Sequence, residues 1–350
     1  MDTTRIYNKF GWNYTDSKKY QKTGYNQNNE GSKTSYSFLI KSLDNGDIKK
    51  EAEKDFLGTS RRIINTIKKE FNIMDNNFDD KFEKACSGDG QEIQKITALH
   101  SSSLCSLLFF YDIDIHPITL KINNENIKFS QSFFEWKNPV FGRSSNIDVV
   151  LYSKEKNVLL FLESKFSEYC NGASNLSIPY KYAEDSVSRE IYGKLCSDEG
   201  NFRTTFSEEK IKRENGTEYA VFNLEYKNGT NYIEGIKQMI SHYLGVMNFL
   251  KNPEVGDKKY LDFIEMNNVT KVYLGEILFD KGLEDFKGRG KKSYLEKYQE
   301  EYKKLADILN ADKSKRTDKK FEVLKDVLYY SELKNHVNNT IKHHYFGNIE

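Results

Sequence analysis

Asp148, Glu163 and Lys165 are the residues of this chain whose types and spacing are best suited to chemistry. Asp148 sits in Asn146-Ile147-Asp148-Val149-Val150-Leu151, and the other two in Leu159-Leu160-Phe161-Leu162-Glu163-Ser164-Lys165-Phe166. Both runs read as strands, and residues two apart on a strand share a face, so Glu163 and Lys165 point the same way. Charges on a buried face are costly unless they are paired or bind a metal. The polar stretch Lys154-Glu155-Lys156-Asn157 reads as the turn between the strands. With Glu155 and Lys156 at its centre, positions summing to 311 lie opposite one another. Asp148 then faces Glu163, with Cβ atoms roughly 4.5–5.5 Å apart. Two carboxylates that close repel unless a cation or the Lys165 ammonium neutralises them. Hard oxygen donors of this kind suit Mg²⁺, with Mn²⁺ as a substitute. A structural ion-pair network at the end of a hairpin would use the same residues, and a register slip of one would turn them to the other face.

Acid-x-Lys alone is a weak signal in a chain of 350 residues with 52 acidic and 53 basic side chains. Asp16-x-Lys18, Asp47-x-Lys49, Glu208-x-Lys210 and Asp318-x-Lys320 all repeat it in surface-like or helical surroundings. Glu225-x-Lys227 is a stronger rival, since Tyr219 to Leu224 reads as a strand. No acid-bearing strand precedes it at hairpin distance, and Asn228-Gly229 follows at once as a turn.

The elements around the pair have to position it. Gln91 to Tyr111 reads as one long helix, with Ile93, Ile96, Leu99, Leu104, Leu107 and Leu108 as its apolar set. Ile118 to Ile122 and Ile127 to Trp136 read as a hairpin through Asn123-Asn124, ending near Glu135, a candidate third carboxylate or a surface residue beside Lys137. Gly142-Arg143-Ser144-Ser145 then reads as a loop leading to Asp148. Ile233 to Leu250 is an amphipathic helix that carries Gln238 and His242 one turn apart on one face. Val269 to Phe279 reads as a further strand.

The order of an acid, a hairpin and then Glu-x-Lys on an apolar strand resembles the PD-(D/E)xK nuclease superfamily, the restriction-endonuclease-like proteins. The resemblance spans roughly residues 88–280 and departs at Ile147, where the family pattern has Pro. It implies an α/β (α+β) fold: a mixed central sheet flanked by helices, with helical additions at both ends. It also implies a Mg²⁺-dependent DNA endonuclease, a type II restriction enzyme or related prokaryotic defence nuclease. A repair or structure-specific nuclease, or a non-cleaving DNA-binding or assembly protein on the same fold, is the alternative. The catalytic set would be Asp148, Glu163, Lys165 and Gln238. Asp148, Glu163, the Ser164 carbonyl and Glu135 would hold the metal. His100, Ser102, Arg143, Lys181, Arg189 and His242 are candidate DNA contacts, although a histidine such as His100 also serves as a core residue. Glu92 is the available acid on the first core helix.

The expected organisation is an N-terminal arm and helical region over 1–85, a core over 86–282 with an insertion at 167–232, and a helical region over 283–350. Two helices are expected in the last part, at about 293–310 and 318–340, and they would cover the sheet or form a homodimer. The arm interleaves Tyr7, Phe10, Trp12, Tyr14, Tyr20 and Tyr25 with lysines, which suits either nucleic-acid stacking or packing. Residues 37–72 look helical. The formal charge of +1 advertises no basic field. Cys86, Cys105, Cys170 and Cys196 are scattered, as expected of free thiols in a reducing compartment. There is no apolar leader, membrane-length run or nucleotide-binding glycine loop, so the expectation is a soluble cytoplasmic protein with DNA as its partner.

Overall fold

Val158–Lys165 is apolar through its first five residues, and all eight of its residues are buried. A strand of that composition must be covered on both faces and paired on both edges. The computed structural model meets both demands, and it describes residues 3–23, 35–40, 48–86, 92–167, 175–197, 202–212, 216, 218–226, 234–252, 258–287, 292–312 and 320–347.

The chain begins with α1 (Thr3–Lys9), β1 (Tyr20–Thr23), β2 (Ser35–Phe38), α2 (Ile48–Lys54), α3 (Phe56–Phe71) and α4 (Asn77–Ala85). The core follows as α5 (Glu92–Lys95), α6 (Ser102–Phe110), β3 (Ile118–Ile122), β4 (Glu125–Phe129), β5 (Gln131–Val140), β6 (Arg143–Ser153) and β7 (Val158–Lys165). Next come β8 (Asn175–Pro179), α7 (Tyr180–Glu184), α8 (Ser186–Cys196), β9 (Phe202–Lys212) and β10 (Glu218–Tyr226), of which the strands form a separate three-stranded sheet. The main body resumes with α9 (Glu234–Lys251), α10 (Lys258–Met266) and β11 (Lys271–Leu278). It ends with α11 (Tyr294–Asn310), β12 (Lys320–Val323), β13 (Leu328–Tyr329) and α12 (Asn339–Phe346).

The central sheet is mixed and runs β12-β11-β7-β6-β5, with β13 also on β11. β5, β6 and β7 form an antiparallel meander. β11 lies parallel to β7 and to β12. On one side, α6 lies close enough for the Ser164 hydroxyl to donate to the Ser102 carbonyl at 3.1 Å. On the other, α9 and α10 clamp Trp136, which stacks on Tyr260 at 3.7 Å and meets Phe249 edge-on. The fold is thus α/β, with a central mixed sheet flanked by helices.

Several elements differ from expectation for local reasons. The helix expected over Gln91 to Tyr111 is two helices, because the Ser101 side chain accepts the Leu104 N–H and starts α6 afresh. Ala98, in the gap, bridges to Ser37. The Asn123-Asn124 turn joins β3 to β4 with both residues at positive φ, as a two-residue hairpin requires. β5, however, is a separate strand that continues through Asn138-Pro139, and the expected loop at Arg143 to Ser145 already belongs to β6. Of 37–72, only β2, α2 and α3 are described, so the region is not one helix. The helix expected over 318–340 is instead β12, β13 and a short 3₁₀ turn, because Phe321 and Val323 alternate inward beside β11. Tyr7, Phe10 and Trp12 of the arm are buried, and Phe10 meets Phe166 and Phe279, so these aromatics pack. Tyr25 lies outside the described residues. Among the described residues, no helix is long and apolar enough to cross a membrane.

Lys81 of α4 ties the start of β5 to the body. Its ammonium is buried, donates to the Ser132 carbonyl at 2.6 Å and pairs with Asp114 at 2.8 Å. Lys81→Ala removes a charged donor from a buried acceptor, a loss of about 2 kcal/mol. Urea denaturation at pH 7 should show a lower midpoint with an unchanged slope.

Candidate active site

A break in sheet regularity builds this site. Phe133 meets Phe263 of α10, and so does Trp136, which also contacts α9. Two residues three apart cannot share a face of a regular strand. Glu135, between them, has φ +49°, and the β5–β6 ladder skips from Phe134↔Val149 to Trp136↔Ile147. The same inversion occurs on β6, where Tyr152 meets Phe263 and Ser145, seven residues earlier, meets His242 of α9. Glu135 and Asp148 face each other across this irregularity, where one ladder pair is missing and the register on either side is unchanged.

The β6–β7 ladder keeps the expected register in all five of its pairs, from Ser153↔Val158 to Val149↔Leu162. It stops one step short of Asp148 and Glu163. There the Asp148 carboxylate replaces a backbone carbonyl and accepts the Ser164 N–H at 2.7 Å. Glu163, 2% exposed, points to the α9 side. Its Oε1 accepts from Lys165 Nζ at 2.7 Å, and its Oε2 is 2.7 Å from His242 Nε2. Lys165 Nζ also donates to Gln238 Oε1 at 2.7 Å. The i, i+4 spacing of Gln238 and His242 thus lets one helix face reach both charges of the Glu-x-Lys pair.

The electrostatics divide the acids into two kinds. Burial pushes the Glu163 carboxyl up, but Lys165 and His242 outweigh it and hold it at about 2. Glu135, 7% exposed, is pushed up to about 8, first by burial and then by Glu92 and Glu163. Asp148 is raised well above the carboxylate range by burial of its carboxyl, then by Glu163 and Glu135. Four acids therefore feel one another; Glu163 is paired with Lys165 at 2.7 Å and Glu92 with Lys95 at 3.5 Å. Among the described residues, no three His, Cys, Asp or Glu side chains stand close enough to share a metal ion in this arrangement. Their chemistry nevertheless fits one: Asp148, Glu163 and Glu135 are hard oxygen donors, and two of the three carry a repulsion that a divalent cation would relieve.

The remaining expected residues are dispersed. Ser164 turns its hydroxyl to the opposite face, where it bonds Tyr330 at 2.8 Å and the Ser102 carbonyl. His100 is half-buried in the aromatic N-terminal cluster, 2.8 Å from the Tyr7 hydroxyl. Arg143 is exposed where β6 begins. Lys181, on α7, donates to the Phe141 carbonyl at 3.0 Å. Arg189 is exposed on α8. His242 is buried against Glu163, so its ring holds that carboxylate instead of presenting itself to a ligand surface. Glu225 pairs with Arg203 and Asn175 in the separate β8-β10-β9 sheet, and Lys227 lies outside the described residues.

Two residues escaped the sequence reading. Glu276 aligns with Glu163 on the neighbouring parallel strand, is buried, and accepts from the Tyr298 hydroxyl. A lone acid in the apolar run Val272 to Leu278 was the available signal. Ser145, 2.6 Å from His242 Nδ1, gave none, because its partner is 97 residues away.

The chain matches no family model, no curated protein and no solved structure in comparisons with known proteins.

An acid with a folded pKa above its unfolded one adds stability at low pH, and that stability is lost as pH rises through the folded value. Glu135 moves from 4.5 to about 8, and Asp148 moves the same way. In EDTA, the urea midpoint should therefore fall between pH 5 and pH 8. Glu135→Gln should flatten that fall; an equally steep fall in the variant would contradict the assignment.

Proposed function

We propose that this protein is a metal-dependent DNA endonuclease of the PD-(D/E)xK type, hydrolysing phosphodiester bonds with Mg²⁺. One observation carries the reading: Lys165 Nζ is pinned between Glu163 and Gln238, on the strand next to Asp148 and at the end of an antiparallel meander. The order of α6, three antiparallel strands, α9 and then a parallel β11 supports it, since the core of that superfamily is usually a helix, three antiparallel strands, a second helix and another strand. Asp148, Glu163 and Glu135 would hold the cation. Bound there, it would polarise the phosphate and acidify a coordinated water.

The chain's own groups do the rest. The Lys165 ammonium, aimed by two acceptors, orients the attacking water and offsets charge gathering on the phosphate oxygens. The water oxygen would bond to phosphorus and give up one proton to solvent as the bond to the 3′ oxygen breaks, and the leaving oxygen would take one proton from solvent, so the step balances. The Gln238 amide steadies Lys165, and its NH₂ group is a donor for water or phosphate. Buried apolar walls on β7 and α9 lower the local dielectric and strengthen each of these contacts. A restriction or other defence role is the setting we infer, with DNA as the partner.

The test uses purified protein on plasmid DNA with Mg²⁺, Mn²⁺ or EDTA. Cleavage should need the metal, and Glu163→Ala and Lys165→Ala should each slow it about 10²–10³-fold. Metal-dependent cleavage that survives either substitution contradicts the assignment. Tight, metal-insensitive DNA binding without cleavage selects the non-cutting alternative.

A further inference from the structure

Glu163 is held on one oxygen by a residue two positions along its own strand and on the other by a histidine from α9. The first contact follows from strand geometry. The second depends on how an imidazole is aimed, and the ring can rotate or change tautomer unless its other nitrogen is also held. Ser145 Oγ supplies that hold at 2.6 Å from Nδ1. Ser145 is 5% exposed, on the strand adjacent to β7, in the stretch beyond the missing ladder pair where β6 has switched faces toward α9.

Hydrogen-bond chemistry assigns the donors. An ionised carboxylate only accepts, so His242 Nε2 carries the hydrogen that it donates to Glu163. In a neutral ring Nδ1 is then the acceptor, and the Ser145 hydroxyl donates to it. The backbone is shaped for this contact. Gly245, on α9 one residue short of a full turn past His242, sits where an added Cβ would lie 2.9 Å from the Asn138 Cβ, 3.0 Å from Val140 Cγ2 and 3.3 Å from the Ser145 Cβ. Asn138 and Ser145 are cross-strand partners. The missing side chain lets α9 come down onto the β5–β6 pair at the point where serine and histidine meet.

We propose that Ser145 is a positioning residue, which aims the His242 ring through Nδ1 so that Nε2 holds Glu163 in its working orientation. This rests on the nuclease reading for its consequence in activity, but not for its consequence in the ring.

Two measurements on the full-length protein test it. Nitrogen NMR of the histidine ring in metal-free protein should show His242 Nδ1 as a hydrogen-bonded acceptor beside a sharp Nε2–H signal, and Ser145→Ala should shift the Nδ1 resonance and broaden the Nε2–H signal as the ring loses its fixed orientation. In DNA cleavage with Mg²⁺, Ser145→Ala should lower kcat about 10-fold with KM unchanged, as loss of an outer support for a ligating residue does. Ser145→Thr, which keeps the hydroxyl, should restore both signatures. A His242 Nε2–H signal that is as sharp in Ser145→Ala as in the wild type overturns the proposal, as does a threonine variant that behaves like alanine. If the wild-type protein cuts no DNA, the nuclease reading fails, and the ring spectrum alone decides the role of Ser145.

Discussion

A carboxylate enclosed in a protein interior stays ionised only if neighbouring donors replace the water it has lost. Glu163 meets that condition through Lys165 on one oxygen and His242 on the other. Removing either partner would leave a buried charge uncompensated, which costs more than the pair gains over an apolar substitute. Much of the architecture follows from this constraint. β7 has to be central so that Glu163 and Lys165 emerge from a dry strand, and α9 has to lie across it with Gln238 and His242 one turn apart.

The second constraint is repulsion. Asp148 and Glu135 stand near an acid that is already ionised, and burial and proximity together favour their protonated forms. The sheet brings them there at a cost in regularity: Glu135 takes a left-handed backbone that a branchless but bulky side chain adopts only when its surroundings enforce it. Trp136, stacked on Tyr260 immediately after Glu135, provides such surroundings. Like-charge repulsion and a left-handed backbone thus meet in one place, which is what a cation would relieve on the proposed reading.

Local pattern made part of this legible in the sequence. The polar turn at Lys154 to Asn157 set the β6–β7 register, which brings Asp148 and Glu163 to the step just beyond the last ladder pair, because a short turn between apolar runs leaves few pairings. The heptad-like spacing of α9 and the apolar run of β11 were equally clear. The rest depended on contacts that no window contains. Ser101 splits a run with continuous apolar periodicity by capping α6. Phe321 and Val323 become a strand only because the open edge of β11 receives them. The inversion at Glu135 has no sequence signal, since no glycine marks it. Nor does the position of Ser145, whose histidine arrives only when α9 folds back over the sheet.

On the proposed reading, burial and repulsion favour the protonated forms of Asp148 and Glu135, and a divalent cation would replace those protons. Ligating carboxylates must give up their protons, so binding and proton release are linked. Calorimetric titration of Mn²⁺ into metal-free protein at pH 7, repeated in buffers of different ionisation enthalpy, measures that release directly. The account predicts saturable binding with net proton release, with both lost in Asp148→Asn. Binding without proton release, or binding unchanged in that variant, would contradict it.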